Sequence, residues 1–291
     1  MEDYLENYFV KNGKKLNLKD WPTLIDPLYK NKMDYQKLLK EQIIKMSKAQ
    51  DLHYATNRNA LLIIFQGMDA AGKDSTIKHV MSGINPQGCQ VMSFKHPTAT
   101  ELEHDFLWRT TRVLPERGQI GIFNRSYYEE VLITRVHPEI LKGESLKNDI
   151  HKIKNIWLDR YLSINNLEKH LHQNGTRVIK FFLHLSYNEQ KVRFLERIDN
   201  LRKNWKFNVD DLNEREHWDD YKKAYEKCLS ATSNRNSPWY IIPADDKFNT
   251  RLIVAKIILQ TFKSFKMQYP KSDKGRLLEL KELRRRLSQE S

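Results

Sequence analysis

The chain has 291 residues, of which 40% are hydrophobic and 30% charged, and its formal net charge is +13 at pH 7. This length favours one α/β core with helical additions, and no apolar run approaches the ~20 residues that cross a bilayer, which excludes a membrane-spanning protein. The positive charge favours a polyanionic partner, and nucleic acid, an anionic membrane surface and inorganic polyphosphate all qualify.

The first predicted element is a helix over Asp34–Tyr54. Its apolar side chains recur at helical spacing: Tyr35, Leu39, Ile43 and Met46. We therefore assign residues 1–55 to an N-terminal helical extension, with this helix packed on the core.

Five apolar runs of strand-forming residues follow along the chain. They predict strands at Ala60–Gln66, Cys89–Phe94, Gln119–Asn124, Arg177–Leu185 and Trp239–Pro243, of which the second is the weakest. Helix-period segments separate these runs, which predicts a parallel sheet covered by helices on both faces. Ligands of such sheets bind beyond the carboxyl ends of the strands. We place this core at residues 56–268.

Two segments predict helices outside the sheet layers. The segment at about 187–232 is dense in Arg, Lys, Trp and acidic residues, and we interpret it as a helical lid in which Asp211 and Glu214 mark a helix start. Residues 269–291 predict a charged C-terminal helix whose apolar face would pack on a partner surface. Four leucines lie along one face of this helix: Leu277, Leu280, Leu283 and Leu287.

Two observations bear on the compartment. The first residues are acidic and contain no apolar stretch, so no secretory signal is visible. Cys89 and Cys228 are too few to hold a metal cluster, and we expect both to be reduced. We therefore expect a cytoplasmic protein.

The stretch LLIIFQGMDAAGKDSTIKHVM, Leu61–Met81, places a phosphate-binding loop between a strand and a helix. Gly67, Gly72 and Lys73 have the spacing of a Walker A loop, in which backbone N–H groups and a helix N-terminus surround an anion and the lysine neutralises its charge. A tight strand-to-helix turn with a capping lysine is the alternative.

The residue after the lysine is Asp74, where an ordinary ATP-binding loop has Ser or Thr. Asp69 and Asp74 would repel a phosphate unless a divalent cation or a proton lay between them, so the sequence implies Mg²⁺, with Mn²⁺ as the alternative metal. Charge complementation at a helix N-terminus is the competing explanation for either aspartate.

Five motifs together resemble the polyphosphate kinase type 2 family, in order, over about residues 51–262. They are GMDAAGKDSTIKHVMSGINPQG, HDFLWR, GIFNRSYYEEVLITRVHP, KNWKF and PWYIIPADDK. The resemblance implies a three-layer P-loop kinase fold similar to thymidylate kinase, with a helical lid. It also implies Mg²⁺-dependent transfer of a terminal phosphoryl group between inorganic polyphosphate and a nucleotide, in a homo-oligomer that is a tetramer or a dimer.

One motif departs from the pattern of many members of that family. Asn124 stands where they have Asp, and Glu129 stands where they have Asn. This pairing resembles the class III subgroup, whose members phosphorylate AMP as well as ADP. Because an amide is a weaker ligand for a hard cation than a carboxylate, Asp69 and Asp74 must then provide more of the metal binding.

Phosphoryl transfer depends on positioning and on positive charge near the transferring oxygens, so several cations should converge on the site. The resemblance and this chemistry predict the catalytic residues Asp69, Lys73, Asp74, Arg125 and Arg193, with Asp69 and Asp74 as metal ligands. The predicted nucleotide- and phosphate-binding residues are Gly67, Ala70, Ala71, Gly72, Ser75, Thr76, Asn124, Tyr128, Glu129, Arg135 and Arg197. The predicted polyphosphate channel consists of Lys95, Arg109, Arg112, Arg117, Lys203 and Lys206. For Arg193 and Arg197, a solvated helix face is the alternative.

The favoured hypothesis is a polyphosphate:nucleotide phosphotransferase that makes ATP from ADP, and ADP from AMP. Its expected partners are polyphosphate and adenine or guanine nucleotides, with neither a membrane nor nucleic acid. An ATP-dependent nucleoside monophosphate or deoxynucleoside kinase is one alternative, and a nucleic-acid-binding P-loop protein is the other. Trp108 and Trp205 beside basic residues would suit the latter if they were exposed, and we expect both to be buried.

Overall fold

Five parallel strands form the centre of the computed structural model, which describes residues 3–11, 13, 15–144 and 156–290. The strands are β1 Ala60–Gly67, β2 Cys89–Ser93, β3 Ile120–Asn124, β4 Thr176–His184 and β5 Trp239–Pro243. Their order in the sheet is β2-β3-β1-β4-β5, and every neighbouring pair is parallel. The predicted five-stranded parallel sheet is confirmed, and each predicted strand is found to within one residue at either end.

The helices have the following bounds: α1 Asp3–Glu6, α2 Lys32–Thr56, α3 Lys73–Val80, α4 Ala99–Leu102, α5 Trp108–Thr111, α6 Glu129–Val136, α7 Ile156–Gln173, α8 Tyr187–Asp199, α9 Val209–Glu216, α10 Trp218–Thr232, α11 Lys247–Ser264 and α12 Lys274–Leu287. Short 3-10 turns lie at Leu18–Asp20, Pro86–Gly88, Pro138–Glu144 and Asn204–Lys206. Residues 1, 2, 12, 14 and 145–155 of the expected extension and core lie outside the described residues.

Strand β1 has an apolar core on each side, which explains its unbroken apolar sequence. Leu61, Ile63 and Phe65 pack into one core with residues of α2, α3 and α11. Leu62 and Ile64 pack into the other core with residues of α6, α7 and α10. A strand buried on both faces has no reason to alternate polar and apolar residues. The two cores therefore form the expected helix–sheet–helix layers.

The weak signal of β2 follows from its place at the edge of the sheet. It pairs only with β3, and the side chain of Val91 is 51% exposed. An edge strand with one open side needs fewer apolar residues than the central β1.

The lid segment differs from its prediction in two respects. Helix α9 begins with a capping box between Asn208 and Asp211, one turn before the predicted start, so Glu214 lies inside the helix. Helix α10 is a core helix, because Tyr225 and Cys228 on it are buried in the second core. The part that lies over the carboxyl edge of the sheet is therefore α8, the turn that follows it, and α9.

The C-terminal helix is shorter than its predicted range of 269–291. Its four predicted leucines are 40–67% exposed, and no residue of α12 is buried. Among the described helices, none is both long and apolar enough to span a bilayer.

Candidate functional site

A cavity of about 1080 Å³ opens at the carboxyl edge of the sheet, above the ends of β1 and β3. Its walls are the β1–α3 loop, the residues after β2 and β3, and parts of α6, α8, α9 and α11. Parallel strands bring their carboxyl ends to the same edge, which is why residues far apart in sequence meet here. This cavity is the candidate active site.

The β1–α3 loop has the backbone conformation of an anion-binding turn. Gly67 has a φ of +156°, and a Cβ there would lie 2.9 Å from the carbonyl oxygen of Leu183, so no larger residue fits. Gly72 at φ +98° and Ala70 at φ +61° also have left-handed backbone conformations. The loop leads into the N-terminus of α3, whose first N–H groups are free to bind an anion.

The ammonium group of Lys73 points back into this loop. Its Nζ donates to the carbonyl oxygens of Gly67 at 2.6 Å and of Met68 at 3.3 Å. Burial, together with the nearby Arg125, lowers the pKa of Lys73 to about 8, although Asp69 and Glu129 act in the opposite direction. A phosphate in the loop would restore full charge to this lysine, because an adjacent anion favours the protonated form.

Arg125 follows β3 directly and has an unusual backbone conformation for a non-glycine residue, with φ at +63°. Its guanidinium lies 2.9 Å from Asp69 Oδ1 and 3.5 Å from Glu129 Oε2. Glu129, and to a lesser extent Asp69, raise the pKa of Arg125 above its ordinary value, so the charge is permanent. Strained backbone of this kind costs about 1–3 kcal/mol and clusters at functional sites.

Asp74 meets Asn124 across the cavity floor. The amide Nδ2 of Asn124 donates to Asp74 Oδ1 at 2.6 Å, and Lys206 Nζ lies 3.8 Å from Asp74 Oδ2. The side chain of Asp74 is 70% exposed, so its carboxylate is open to solvent and ligand. An aspartate at position 124 would place two carboxylates in contact, which the amide avoids.

Asp69 and Asp74 are suited to bind a metal ion that is also coordinated by phosphate oxygens of the substrate. In the described part of the chain, no three His, Cys, Asp or Glu side chains form a group that could enclose a metal ion. Mg²⁺ is ordinarily held by one or two carboxylates together with phosphate oxygens and water, so the donor set of Asp74 and Asp69 fits it.

Arg193 of α8 is buried, and its five N–H donors all meet protein acceptors. Nε donates to Glu189 at 2.8 Å, and Nη1 donates to the loop carbonyls of Ala70 and Ala71 at 3.0 and 3.1 Å. Nη2 donates to the carbonyls of Ala244 and Asp245 at 2.6 and 3.1 Å. The predicted catalytic arginine therefore clamps the loop to the turn between β5 and α11 and has no donor left for phosphate.

Polar contacts also hold the lid over the loop. Gln190 Nε2 donates to the carbonyl of Asp69 at 2.9 Å, and Arg215 of α9 donates to Gln190 Oε1 at 2.7 Å. On the other side of the cavity, His137 Nε2 lies 3.1 Å from the carboxylate of Glu214. These side chains were not among the predicted site residues, because nothing in a single sequence shows which lid residues face the loop.

Most of the predicted site residues line the cavity. They are Gly67, Asp69, Ala70, Ala71, Gly72, Lys73, Asp74, Ser75, Thr76, Lys95, Asn124, Arg125, Glu129, Arg193, Arg197, Lys203 and Lys206.

The structure does not bring five of the predicted residues to the cavity wall. Tyr128 is buried, and its hydroxyl lies 2.9 Å from Lys180 Nζ in the second core. Arg135 donates to the hydroxyl of Tyr161 on α7. The other three residues are the arginines expected in the polyphosphate channel: Arg109, Arg112 and Arg117.

These three arginines have different positions. Arg109 is buried, bonded to the carbonyl of Lys95 at 2.8 Å and paired with Glu130 at 3.3 Å. The guanidinium of Arg112 stacks 4.4 Å from the ring centroid of Trp108. Arg117 precedes β3 and so lies at the amino edge of the sheet, opposite to the cavity.

The expectation that both tryptophans are buried is wrong. Trp205 is 78% exposed on the lid turn, and Lys206 Nζ lies 5.0 Å from its ring centroid. Trp108 is half-buried and stacks on His104. Only one of these two tryptophans is exposed, and a single indole falls short of the successive stacking platforms that bind single-stranded nucleic acid.

Two cations of α11 line the cavity and were not predicted as site residues. They are Lys247 in the first turn of α11 and Arg251 one turn later. The sequence could have indicated Arg251 as a site residue, because it directly precedes the apolar run LIVAKII of a core helix. A charged residue at the start of such a buried face is uncommon without a partner or a function.

Comparison with known proteins gives consistent results. The family model described as Polyphosphate kinase 2 (PPK2) matches residues 29–270. An ADP-polyphosphate phosphotransferase of Rhodopseudomonas palustris is 60% identical over 97% of this chain and 98% of its own length. An AMP/ADP-polyphosphate phosphotransferase of Meiothermus ruber is 42% identical over 79% of this chain and 81% of its own. The crystal structure of polyphosphate kinase 2 from Arthrobacter aurescens superposes with a TM-score of 0.83, at 35% identity, over 95% of this chain and 96% of that one.

Proposed function

This chain belongs to the polyphosphate kinase 2 family, as its motifs indicated, and we propose that it transfers the terminal phosphoryl group of inorganic polyphosphate to ADP. The observation that carries this proposal is the loop around Lys73, which opens into a cavity rich in cations and has Asp74 after the lysine. The relative from Rhodopseudomonas palustris, which matches over nearly the full length of both chains, is named an ADP-polyphosphate phosphotransferase.

The reaction needs little from the protein beyond placement and charge. A terminal phosphate oxygen of ADP attacks the end phosphorus of polyphosphate, the P–O bond to the next phosphate breaks, and the products are ATP and a chain shorter by one unit. Attacking and leaving oxygens are both phosphate oxygens, so no strong general base is required.

Lys73 and the two arginines around the loop then have separate roles. Lys73 and the first N–H groups of α3 hold the phosphates that lie in the loop. Arg125, fixed by its pairs with Asp69 and Glu129, places a permanent charge at the end of β3. Arg193 positions the loop by holding the carbonyls of Ala70 and Ala71 in place.

Mg²⁺ is part of the proposal, with Mn²⁺ as the alternative metal. Asp74 and Asp69 would hold it together with substrate oxygens, and it would supply neutralisation of negative charge between carboxylates and phosphates. Asn124 contributes by donating to Asp74, which orients that carboxylate without adding a second negative charge.

AMP is a second acceptor in this proposal, giving ADP. The support is the Asn124 and Glu129 pairing, together with the Meiothermus ruber relative, which is named an AMP/ADP-polyphosphate phosphotransferase. The double variant Asn124→Asp with Glu129→Asn should shift the ratio of AMP to ADP turnover toward ADP. An unchanged ratio would remove these two positions from nucleotide selection.

We also propose a cytoplasmic homo-oligomer, a tetramer or a dimer. The exposed leucines of α12 give such an assembly an apolar surface to cover. Light scattering coupled to size exclusion tests this assembly, and a monomer at micromolar concentration contradicts it.

The experiment that tests the function is ATP formation from ADP, detected with luciferase, with Mg²⁺ and long-chain polyphosphate. A reaction without polyphosphate and the Lys73→Ala variant exclude contaminating kinases. If ATP formation requires polyphosphate and Lys73, the proposal stands. If no ATP forms but ATP phosphorylates a nucleoside monophosphate, the chain is an ATP-dependent kinase instead.

A further inference from the structure

Gln190 is a buried side chain that connects the β1–α3 loop to the lid. It lies near the start of α8 and is 3% exposed. Its Nε2 donates to the carbonyl oxygen of Asp69 at 2.9 Å, and its Oε1 accepts from Nη1 of Arg215 on α9 at 2.7 Å. One amide therefore joins a lid residue to the backbone of a predicted catalytic residue.

Arg215 determines which way the amide of Gln190 points. A side-chain amide has an oxygen that accepts hydrogen bonds and an NH2 group that donates them, whereas a guanidinium only donates. If the amide turned by 180°, its NH2 group would face the guanidinium of Arg215 and its oxygen would face the carbonyl of Asp69. Both contacts would be repulsive, so Arg215 keeps the donor of Gln190 on the loop.

The carbonyl that Gln190 holds belongs to the same residue whose side chain pairs with Arg125. Asp69 Oδ1 lies 2.9 Å from Arg125 Nη2. The next carbonyl, that of Ala70, accepts from Arg193, so α8 holds two successive peptide groups of the loop. A shift of the first of these peptide groups would carry the Asp69 side chain with it. The hydrogen bond from Gln190 therefore fixes where the carboxylate lies relative to Arg125.

The last turn of α9 contacts both walls of the cavity through neighbouring residues. The carboxylate of Glu214 lies 3.1 Å from Nε2 of His137, which follows α6. On the other wall, Arg215 donates to the carbonyl of Tyr187 at 3.0 Å, and its guanidinium lies 3.4 Å from the centroid of the Tyr187 ring. The contact between Arg215 and the amide on α8 therefore depends on the position of α9 over the cavity.

We propose that Gln190 is a positioning residue for Asp69 and that Arg215 transmits the position of the lid to it. With α9 over the cavity, Arg215 orients the amide, and the amide holds Asp69 against Arg125. This inference rests on the proposed function and adds a link between lid closure and the transfer step. The role requires no contact of Gln190 or Arg215 with a substrate, which distinguishes it from direct binding of phosphate.

The test uses variants that break the link at different points. Gln190→Met removes both hydrogen bonds, and Arg215→Met removes the contact from the lid alone. Gln190→Glu keeps an acceptor for Arg215 but has no donor for Asp69. The double variant of Gln190→Met with Arg215→Met completes a mutant cycle. The matched controls are Asn188→Met and Lys223→Met, which remove an exposed amide from α8 and an exposed charge from α10.

The first measurement is the kcat for ATP formation and the KM values for ADP and long-chain polyphosphate, with Mg²⁺ present. Gln190→Met should lower kcat about tenfold, because a buried acceptor loses its donor. Arg215→Met should lower kcat about fivefold. Both KM values should stay within about twofold, because the link acts on the transfer step. The double variant should lose about tenfold, like Gln190→Met alone, and not the ~50-fold product of independent effects.

Gln190→Glu gives a readout that a purely structural role would not change. Its carboxylate still accepts from Arg215, so its Tm should be no lower than that of Gln190→Met. Its kcat should nevertheless be as low as that of Gln190→Met, because a carboxylate cannot donate to the carbonyl of Asp69. A role confined to stability would give the two variants the same order in kcat as in Tm.

Three outcomes would overturn the assignment. One is a KM for polyphosphate or ADP that rises about tenfold in Arg215→Met with an unchanged kcat, which indicates direct binding of the substrate. Another is a loss of kcat that multiplies in the double variant. The third is a kcat for Gln190→Met and Arg215→Met that matches the controls. Because Arg215 is half-buried, its variant keeps the test valid if Gln190→Met folds poorly.

Hydrogen exchange of the loop amides at 67–72, measured by mass spectrometry without substrates, separates this inference from the proposed function. Exchange should be about fivefold faster in Gln190→Met and Arg215→Met than in wild type, and unchanged in the controls. If wild type makes no ATP but the loop loosens in this way, the function is wrong and the link is right. If ATP forms but both variants match the controls in exchange and in kcat, the link is wrong and the function is right.

Discussion

Replacing Arg193 by Met tests whether this arginine positions the loop or touches the transferring phosphate. Methionine keeps a long apolar stem but removes all five donors. Four backbone carbonyls then lose a partner, at Ala70, Ala71, Ala244 and Asp245, and Glu189 loses its ion pair.

The size of the effect follows from these contacts. A buried acceptor without a partner costs about 1–3 kcal/mol, but such costs within one network are not additive. Breaking a buried ionic network by removing one member typically costs about 3–5 kcal/mol. For a chain of 291 residues, whose unfolding entropy is about 2.1 cal/mol/K per residue, that corresponds to a fall in Tm of roughly 5–8 °C.

The assay is thermal unfolding without substrates, followed by the polyphosphate-dependent rate at a temperature where the variant is folded. Arg197→Met is the matched control, since Arg197 lies one turn later on α8 and, among the residues that the structure describes, forms one ion pair, with Asp211 at 3.6 Å. Its Tm should fall by no more than about 3 °C. Arg193→Lys should lie between the two, because an ammonium keeps the charge but not the planar set of donors.

An unchanged Tm for Arg193→Met, together with a large loss of activity, would refute this reasoning. It would return Arg193 to the catalytic role that the sequence predicted.

Three further predictions concern the loop and the core. Binding of polyphosphate at pH 9 should take up close to one proton, because Lys73 has a pKa of about 8 without ligand and a bound anion keeps it charged. The affinity for polyphosphate should therefore fall about tenfold between pH 7 and pH 9. Calorimetry in buffers of different ionisation enthalpy measures the proton uptake. Proton uptake that persists in Lys73→Met would contradict its assignment to Lys73. Asp74→Asn should raise the Mg²⁺ concentration for half-maximal rate about tenfold with little change in Tm, and an unchanged Mg²⁺ requirement removes Asp74 from the metal. Lys180→Met leaves Glu168 buried without its ion-pair partner at 2.6 Å, so the free energy of unfolding measured in urea should fall by about 3–5 kcal/mol. Adding Glu168→Gln to this variant should restore part of the loss. A loss below ~1 kcal/mol argues against a stabilising ion pair here.

The sequence predicts the loop and the sheet well because both depend on local patterns. The run LLIIF has no polar position over five residues, which a strand buried on both faces requires. The spacing of Gly67, Gly72 and Lys73 fixes a turn whose backbone can bind an anion, whatever the rest of the chain does. Both signals are contained within about twenty consecutive residues.

The direction in which a long cation points depends on tertiary contacts, so the sequence predicts it poorly. Arg193 and Arg251 both carry a guanidinium to the cavity wall. Backbone carbonyls surround Arg193, whereas Arg251 donates to the hydroxyl of Ser75, and the sequence does not show this difference. Arg117 is different, because a residue that precedes a strand lies at the amino edge of a parallel sheet, and that could have been inferred. The exposure of Trp205 depends on a lid turn whose packing no periodicity reveals.

The most direct test of the account follows the phosphorus atom itself. Polyphosphate labelled with ³²P is incubated with unlabelled ADP, Mg²⁺ and either wild type or Lys73→Met, and the products are separated by chromatography. We predict that the label enters the terminal phosphate of ATP with wild type, without passing through free inorganic phosphate, and that Lys73→Met abolishes the transfer. Label released mainly as inorganic phosphate, or ATP formed at the same rate without Lys73, would contradict direct transfer from polyphosphate to the nucleotide in this loop.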